Sequence, residues 1–202
     1  MRTSFAALFL RSRGGAARTG LLAAVVTVAL LLAPVDLLAV PLRGQVNASP
    51  MPNAVLLVGA LVSFSLASPW RDLHELVPLR RLVLPRALWY LALTACLLLA
   101  GYVALAVRGL EPFAAHLLRS GLAATGAGAL SACLLPRSVS WTPVLLYGMV
   151  SWVWGTVDQE GTARVWSLPN QPLDSAPAAA VAAAAWLVGG LVFTWRDGRQ
   201  VG

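Results

Sequence analysis

The sequence contains little charge and no lysine. Charged residues make up 11% of the 202 positions, and all 15 basic residues are arginine. Without lysine, the chain cannot form a phosphate-binding loop ending in Gly-Lys-Ser/Thr, and Schiff-base chemistry on lysine is excluded. Cysteine is almost as scarce. Cys96 and Cys133 each lie within an apolar stretch, which excludes a disulfide framework and a cysteine-rich metal site.

Apolar residues dominate the composition. They fill 58% of the chain without counting glycine, where soluble domains average about 45 to 50% with glycine included. The mean hydropathy of +0.75 also indicates a strongly apolar chain. A soluble single domain is therefore excluded. The net charge of +7 does not indicate a nucleic-acid partner, because the arginines separate apolar runs instead of lining one folded surface.

Six stretches are long and apolar enough to suggest membrane-spanning helices, which need about 17 to 25 residues. They are residues 20–40, 54–68, 87–107, 120–136, 138–157 and 175–195. We expect the first to be retained and not cleaved as a signal peptide, since no good cleavage site follows it. The sequence thus predicts an all-α, polytopic integral membrane protein with six transmembrane helices in a single transmembrane domain, residues 1–202.

The arginines predict the orientation, because short arginine-rich loops stay cytoplasmic. With both termini in the cytoplasm, eleven arginines lie inside and four outside. The four outside are Arg43, Arg108, Arg119 and Arg164. This distribution predicts a multi-pass protein of the inner or plasma membrane. Asp36, near the outer end of the first span, is expected at the interface.

Two segments on the cytoplasmic side have helical patterns outside the spans. In residues 1–18, Phe5, Leu8 and Phe9 recur at helical spacing before a run of arginines, which predicts an interfacial helix bound to membrane lipids. In the loop 69–86, residues 69–77 are bracketed by Pro69 and Pro78 and predict a short cytoplasmic helix.

This short helix has a polar face and an apolar face. Trp70 belongs to the apolar face, and Arg71, Asp72, His74 and Glu75 form the polar one. It is either a solvated loop or a docking surface for a soluble partner. In the second case Arg80, Arg81 and Arg86 would pair with the partner's carboxylates. Asp72, His74 and Glu75 do not converge as metal ligands.

Two further features concern the second half of the chain. The polar stretch 158–177 predicts an external loop, or a closed cap over a pathway, because Val165 and Trp166 bring apolar bulk to the outer surface. Within the fourth span, small residues repeat at helical spacing and predict close helix packing. They are Gly121, Ala124, Gly128 and Ala132.

Catalytic residues are sparse. His74 and His116 fall in loops on opposite sides of the membrane in the predicted topology, and no nucleophile, base and acid converge. Glu111 and His116 share one loop and are the only pair that suggests chemistry, on a lipid headgroup. We therefore expect no enzyme activity in this chain.

The arrangement resembles the transmembrane permease subunit of type-2 ATP-binding-cassette exporters. The features that carry this resemblance are the interfacial segment 2–18, the short helix 69–77 at the position of that family's coupling helix, and the connector 158–177 before the last span. The resemblance implies a cytoplasmic ATPase docked on Trp70, Arg71, Asp72, His74, Glu75, Arg80 and Arg81. It also implies a second permease subunit, identical or related, and a hydrophobic or amphipathic substrate such as a peptide, lipid or antibiotic. ATP and Mg²⁺ would bind the partner ATPase, and this chain would hold no cofactor.

Two other functions fit the same spans. One is a non-transporting membrane scaffold or immunity protein, which needs no ATPase at the 69–86 loop. The other is a small lipid-modifying enzyme, which needs Glu111 or His116. Substitutions in the two loops separate these alternatives.

Overall fold

The part of the chain that the structure describes is mainly helical. The computed structural model describes Val62, Leu66 and residues 79–107, 109–136, 138–155, 163–172 and 174–196. Within these ranges the α-helices are α1 (Leu79–Val107), α2 (Ala114–Leu134), α3 (Thr142–Trp154) and α4 (Ala176–Arg196), and Glu111–Phe113 and Leu168–Asn170 form 3-10 helices. The all-α prediction is confirmed for this part of the chain.

Three of these helices are long and apolar enough to cross a membrane. The candidate spans are Val83–Val107, Ala114–Leu134 and Ala176–Trp195, which supports a membrane-embedded protein. α3 is apolar but has 13 residues, so it extends about 20 Å, short of the roughly 30 Å hydrocarbon thickness. The count of six spans stays a prediction. The spans expected at 20–40 and 54–68 lie outside the described residues, apart from Val62 and Leu66.

The helix boundaries differ from the expected ones where arginines occur. The third span was expected at 87–107 and the fourth at 120–136, but their helices begin at Leu79 and Ala114. Charge had set the expected limits, yet arginine is a good helix former. The last eight residues of the 69–86 loop are therefore helical. Arg86 is fully buried, so the expectation that it is available to a partner is wrong.

The C-terminus of α1 is capped by a glycine in the turn that leads to α2. Gly109 adopts a left-handed conformation with φ of 65°. Its N–H donates to the Ala106 carbonyl and the Leu110 N–H donates to the Leu105 carbonyl. This pair of bonds is a Schellman motif, which glycine permits because it has no Cβ.

α1 runs antiparallel to both α2 and α4. Along α2, Gly101 faces Leu117 and Gly121 faces Leu98, so the sequence order reverses across the contact. Along α4, the ring of Tyr90 lies against Gly190, and Arg86 contacts Thr194. Because both helices oppose α1, α2 and α4 are parallel to each other. The end of the bundle where α2 and α4 begin is called the capped end below.

The core lies between these three helices. Its buried residues include Trp89, Leu93, Leu97 and Phe193. Val62 and Leu66 are helical, four residues apart and fully buried in the same core. Meanwhile large apolar side chains of α1 and α4 are exposed, among them Leu84, Leu99 and Leu191. A surface of this kind is typical of a lipid-facing helix bundle.

Candidate functional site

The connector before α4 is folded onto the capped end of the bundle. We call residues 163–172 the cap; it contains the 3-10 helix Leu168–Asn170. Tyr147 of α3 holds it at two points. The Tyr147 hydroxyl donates to the Trp166 carbonyl at 2.8 Å and accepts from the Leu168 N–H at 3.1 Å. Both hydrogen-bonding capacities of one phenol are used, so the cap has a defined position against α3.

A buried polar cluster joins the cap to the end of α3. Ser151 and Ser167 are both fully buried, and their hydroxyl oxygens lie 2.6 Å apart. The Asn170 amide donates to the Ser151 carbonyl at 2.9 Å and to the Ser167 hydroxyl at 2.8 Å. A Cβ on Gly155 would overlap Asn170 and Ser167. Glycine at this position therefore lets the cap approach the helix end closely.

Arg119 of α2 binds the other end of the cap. Its side chain is 6% exposed. One terminal nitrogen donates to the Pro172 carbonyl at 2.6 Å, and the other donates to the Gln171 carbonyl at 2.5 Å. The second nitrogen also lies 2.9 Å from Nδ1 of His116. The sequence placed Arg119 in an external loop, but it is a buried residue of α2 that connects this helix to the cap.

A second set of polar contacts lies toward the opposite end, between α1 and α4. The Tyr90 hydroxyl donates to the Trp186 carbonyl at 2.8 Å, and the Trp186 indole donates to the Thr94 hydroxyl at 3.2 Å. Closer to that end, Arg86 donates to the Thr194 carbonyl at 3.3 Å. These bonds join the two helices within an apolar core, where a hydrogen bond is costly to leave unmade.

The small residues of α2 are buried, and glycines set its closest approach to α4. Gly121, Ala124, Gly128 and Ala132, expected to form a packing stripe, all lie among the buried residues of the helix. The tightest contact involves Gly126, which the expected stripe omitted. A Cβ on Gly126 would overlap the Ala185 carbonyl oxygen, and one on Gly189 would overlap the Gly126 carbonyl oxygen.

The expected docking residues lie mostly outside the described part of the chain. Trp70, Arg71, Asp72, His74 and Glu75 all fall there. Arg80 and Arg81 belong to the first turn of α1, and their side chains also fall outside it. The ATPase-docking surface therefore stays a prediction.

The two residues considered for lipid chemistry, Glu111 and His116, lie in different helical elements. His116 was expected in a loop but lies in the first turn of α2, where its ring stacks on Phe113 and its Nδ1 contacts Arg119. Glu111 lies in the preceding 3-10 helix. Among the residues that the structure describes, no three His, Cys, Asp or Glu side chains cluster to hold a metal.

Sequence reasoning missed Tyr147, Ser151 and Asn170, and it misplaced Arg119. Tyr147 and Ser151 lie in an apolar stretch and their partners are 16 to 21 residues away. No short-range pattern identifies such pairs. Arg119 carried a weak signal, since arginine is a good helix former, but the Ser120-Gly121 pair that follows it is more typical of a turn.

Comparison with profiles of known protein families, with characterised proteins and with solved structures finds no match for this chain. Its function must therefore be inferred from the arrangement of its own residues.

Proposed function

We propose that this chain is the transmembrane permease subunit of an ATP-driven exporter of a hydrophobic or amphipathic substrate. In this proposal a separate cytoplasmic ATPase supplies the energy and a second permease subunit, identical or related, completes the pathway. Both termini lie in the cytoplasm, so the capped end is external.

The observation that carries the proposal is the folded cap at one end of the bundle. In the exporter family that the chain resembles, re-entrant elements occur between the last two spans. Here α3 is shorter than a membrane span, and the cap that follows it returns to the start of α2 through Arg119. A short helix and a packed connector at this position favour an element that closes a pathway over a plain solvated loop.

The helix directions agree with the proposed topology. Arg119 and the cap, all predicted to be external, meet at the same end. Arg86 and Thr194, both predicted near the cytoplasm, meet toward the other end. In addition, α1 extends from the expected docking loop into the bundle as one helix, Leu79–Val107, with Pro85 near its start. A force applied to that loop would therefore act directly on the contacts between α1 and α4.

The proposal is tested by purifying the full chain from its native membrane in mild detergent and identifying the bound proteins by mass spectrometry. We expect a stoichiometric nucleotide-binding subunit. Arg71→Glu or Glu75→Arg should reduce its recovery about tenfold, since charge reversal at a docking surface costs a kilocalorie or more per mole. Asp174→Arg is the matched control, because Asp174 is exposed in the connector at the capped end.

The outcomes separate the proposal from its alternatives. A scaffold or immunity protein would retain its protective effect in the Arg71 and Glu75 variants and would copurify with no ATPase under conditions that preserve membrane complexes. A lipid-modifying enzyme would lose activity in His116→Gln. That alternative has less support, because Nδ1 of His116 already contacts the Arg119 guanidinium, which leaves one ring nitrogen for a substrate.

A further inference from the structure

Arg119 is a buried cation whose present acceptors are all neutral. Its terminal nitrogens contact two backbone carbonyls and one imidazole nitrogen. Its Nε is buried and has no hydrogen-bond partner within the described residues, and the same holds for the hydroxyl of the neighbouring Ser120. The guanidinium therefore has an unused donor in a place where an unmade hydrogen bond is costly.

An anion would form stronger hydrogen bonds with Arg119 than the carbonyls of the cap do. Hydrogen bonds between a cation and an anion are roughly twice as strong as those to neutral acceptors. The guanidinium is planar and its donors match the paired oxygens of a carboxylate or phosphate. In the structure, the adjacent carbonyls of Gln171 and Pro172 accept from its two terminal nitrogens, as the two oxygens of one anionic group would.

The position of Arg119 suits an anionic group at the membrane surface. Arg119 is the sixth residue of α2, so it lies about 8 Å from the start of that helix. If α2, which is about as long as the roughly 30 Å hydrocarbon layer is thick, crosses the membrane, the backbone of Arg119 lies about 8 Å inside that layer, but its side chain extends back toward the start of the helix and the headgroup level, where it contacts His116. A phosphate group at this level needs only the displacement of the cap to reach the guanidinium.

We propose that Arg119 is an oxyanion-binding site closed by the cap, and that a phosphate group displaces the Gln171 and Pro172 carbonyls and releases the cap. The phosphate comes from an anionic lipid headgroup or from a soluble phosphate. The site does not depend on the export function, because a scaffold with the same fold would contain it.

The test measures amide hydrogen exchange in the cap by mass spectrometry, using the full chain in lipid nanodiscs. One sample contains phosphatidylcholine alone, a second contains added phosphatidylglycerol, and a third contains phosphatidylcholine with inorganic phosphate in the buffer. Sodium chloride at matched ionic strength controls for screening. We expect exchange in the cap to rise about tenfold with the anion, since release exposes amides that the closed cap protects.

Four variants identify the residue responsible. Arg119→Gln and Arg119→Lys should raise the basal exchange of the cap, because they lose bonds to the Gln171 and Pro172 carbonyls. The anion should raise it little further, because neither side chain holds an oxyanion at two nitrogens, whereas a cap loosened elsewhere should still respond. Arg164→Gln is the matched control: it removes the same charge from the exposed surface of the cap and should keep the response. Tyr147→Phe loosens the cap at α3 and leaves Arg119 in place, so its basal exchange should rise and its response should persist.

Each result is decisive. A response to phosphatidylglycerol alone assigns the site to a lipid headgroup, and a response to inorganic phosphate alone assigns it to a soluble anion. The proposal is overturned if neither anion changes exchange in the unmodified chain while Tyr147→Phe does, because cap opening is then detectable and not caused by anions. It is also overturned if the full response survives in Arg119→Gln.

Discussion

Glycine residues determine how closely α2 and α4 approach each other. The backbones meet where Gly126 faces Ala185 and Gly189, without room for a Cβ on either glycine. In a bilayer such approach matters more than in water, because lipid is as apolar as the side chains and helix association depends on close packing. The contact therefore depends on the absence of two methyl groups.

Gly126→Ala should destabilise the protein by about 1 to 2 kcal/mol. Alanine improves helix propensity by about 1 kcal/mol, but the added methyl would overlap backbone atoms, and overpacking of this kind costs about 1 to 3 kcal/mol or more. Unfolding in detergent, followed by tryptophan fluorescence, measures the change. The control is Ala183→Leu, which adds bulk on the exposed side of α4. Equal stability of Gly126→Ala and the unmodified chain would show that the helices are not in backbone contact.

At the scale of elements, α1 is longer than the membrane is thick. Its 29 residues extend about 44 Å, compared with about 30 Å of hydrocarbon. The end that begins at Leu79 contains Arg80 and Arg81, and charged residues favour the aqueous side of the interface. We therefore expect the excess length to lie largely at that end.

Cysteine labelling tests this placement of α1. Leu84 and Leu99 are almost equally exposed, at 67% and 65%. In a chain lacking Cys96 and Cys133, Leu84→Cys should react with a membrane-impermeant maleimide at least about tenfold faster than Leu99→Cys, because lipid excludes both the reagent and the thiolate. In denaturing detergent the two should react alike. Equal rates in intact membranes would contradict this placement of α1, because Leu84 would then lie in lipid like Leu99.

At the scale of the whole molecule, helix packing brings together segments that are distant in sequence. The cap meets the start of α2, whereas the end of α4 meets the start of α1. Since α4 is long and apolar enough to span the membrane, the two ends of this helix should lie on opposite sides. The cap would then be external and the end of α4 cytoplasmic in the proposed topology.

Val165→Cys and Trp195→Cys should be labelled from opposite sides of the membrane. Both positions are exposed, at 92% and 72%, so accessibility within the protein does not limit the reaction. In sealed right-side-out vesicles, an impermeant maleimide added outside should label Val165→Cys at once and Trp195→Cys only after permeabilisation. Labelling of both from the same side would exclude α4 as a span.

Composition and hydropathy were sufficient for the fold class of the described residues and for the location of the last apolar helix. Hydropathy is a sum over neighbouring residues and does not depend on tertiary contacts. The charge-free stretch predicted at 175–195 therefore corresponds closely to α4, Ala176–Arg196, with a difference of one residue at each end. The same reasoning was less successful at Arg86 and Arg119. It ended each predicted span near a charged residue. A local sequence pattern does not reveal whether a distant carbonyl can accept a hydrogen bond from a buried arginine.

Tertiary structure decided the burial of those arginines and the shape of the capped end. Arg119 is held by carbonyls 52 and 53 residues away, and Arg86 by one 108 residues away. A buried cation is tolerated only where such acceptors converge, and convergence depends on how helices pack. The position of the cap follows from these and other long-range contacts, such as those of Tyr147 with Trp166 and Leu168, which no local stretch of sequence contains.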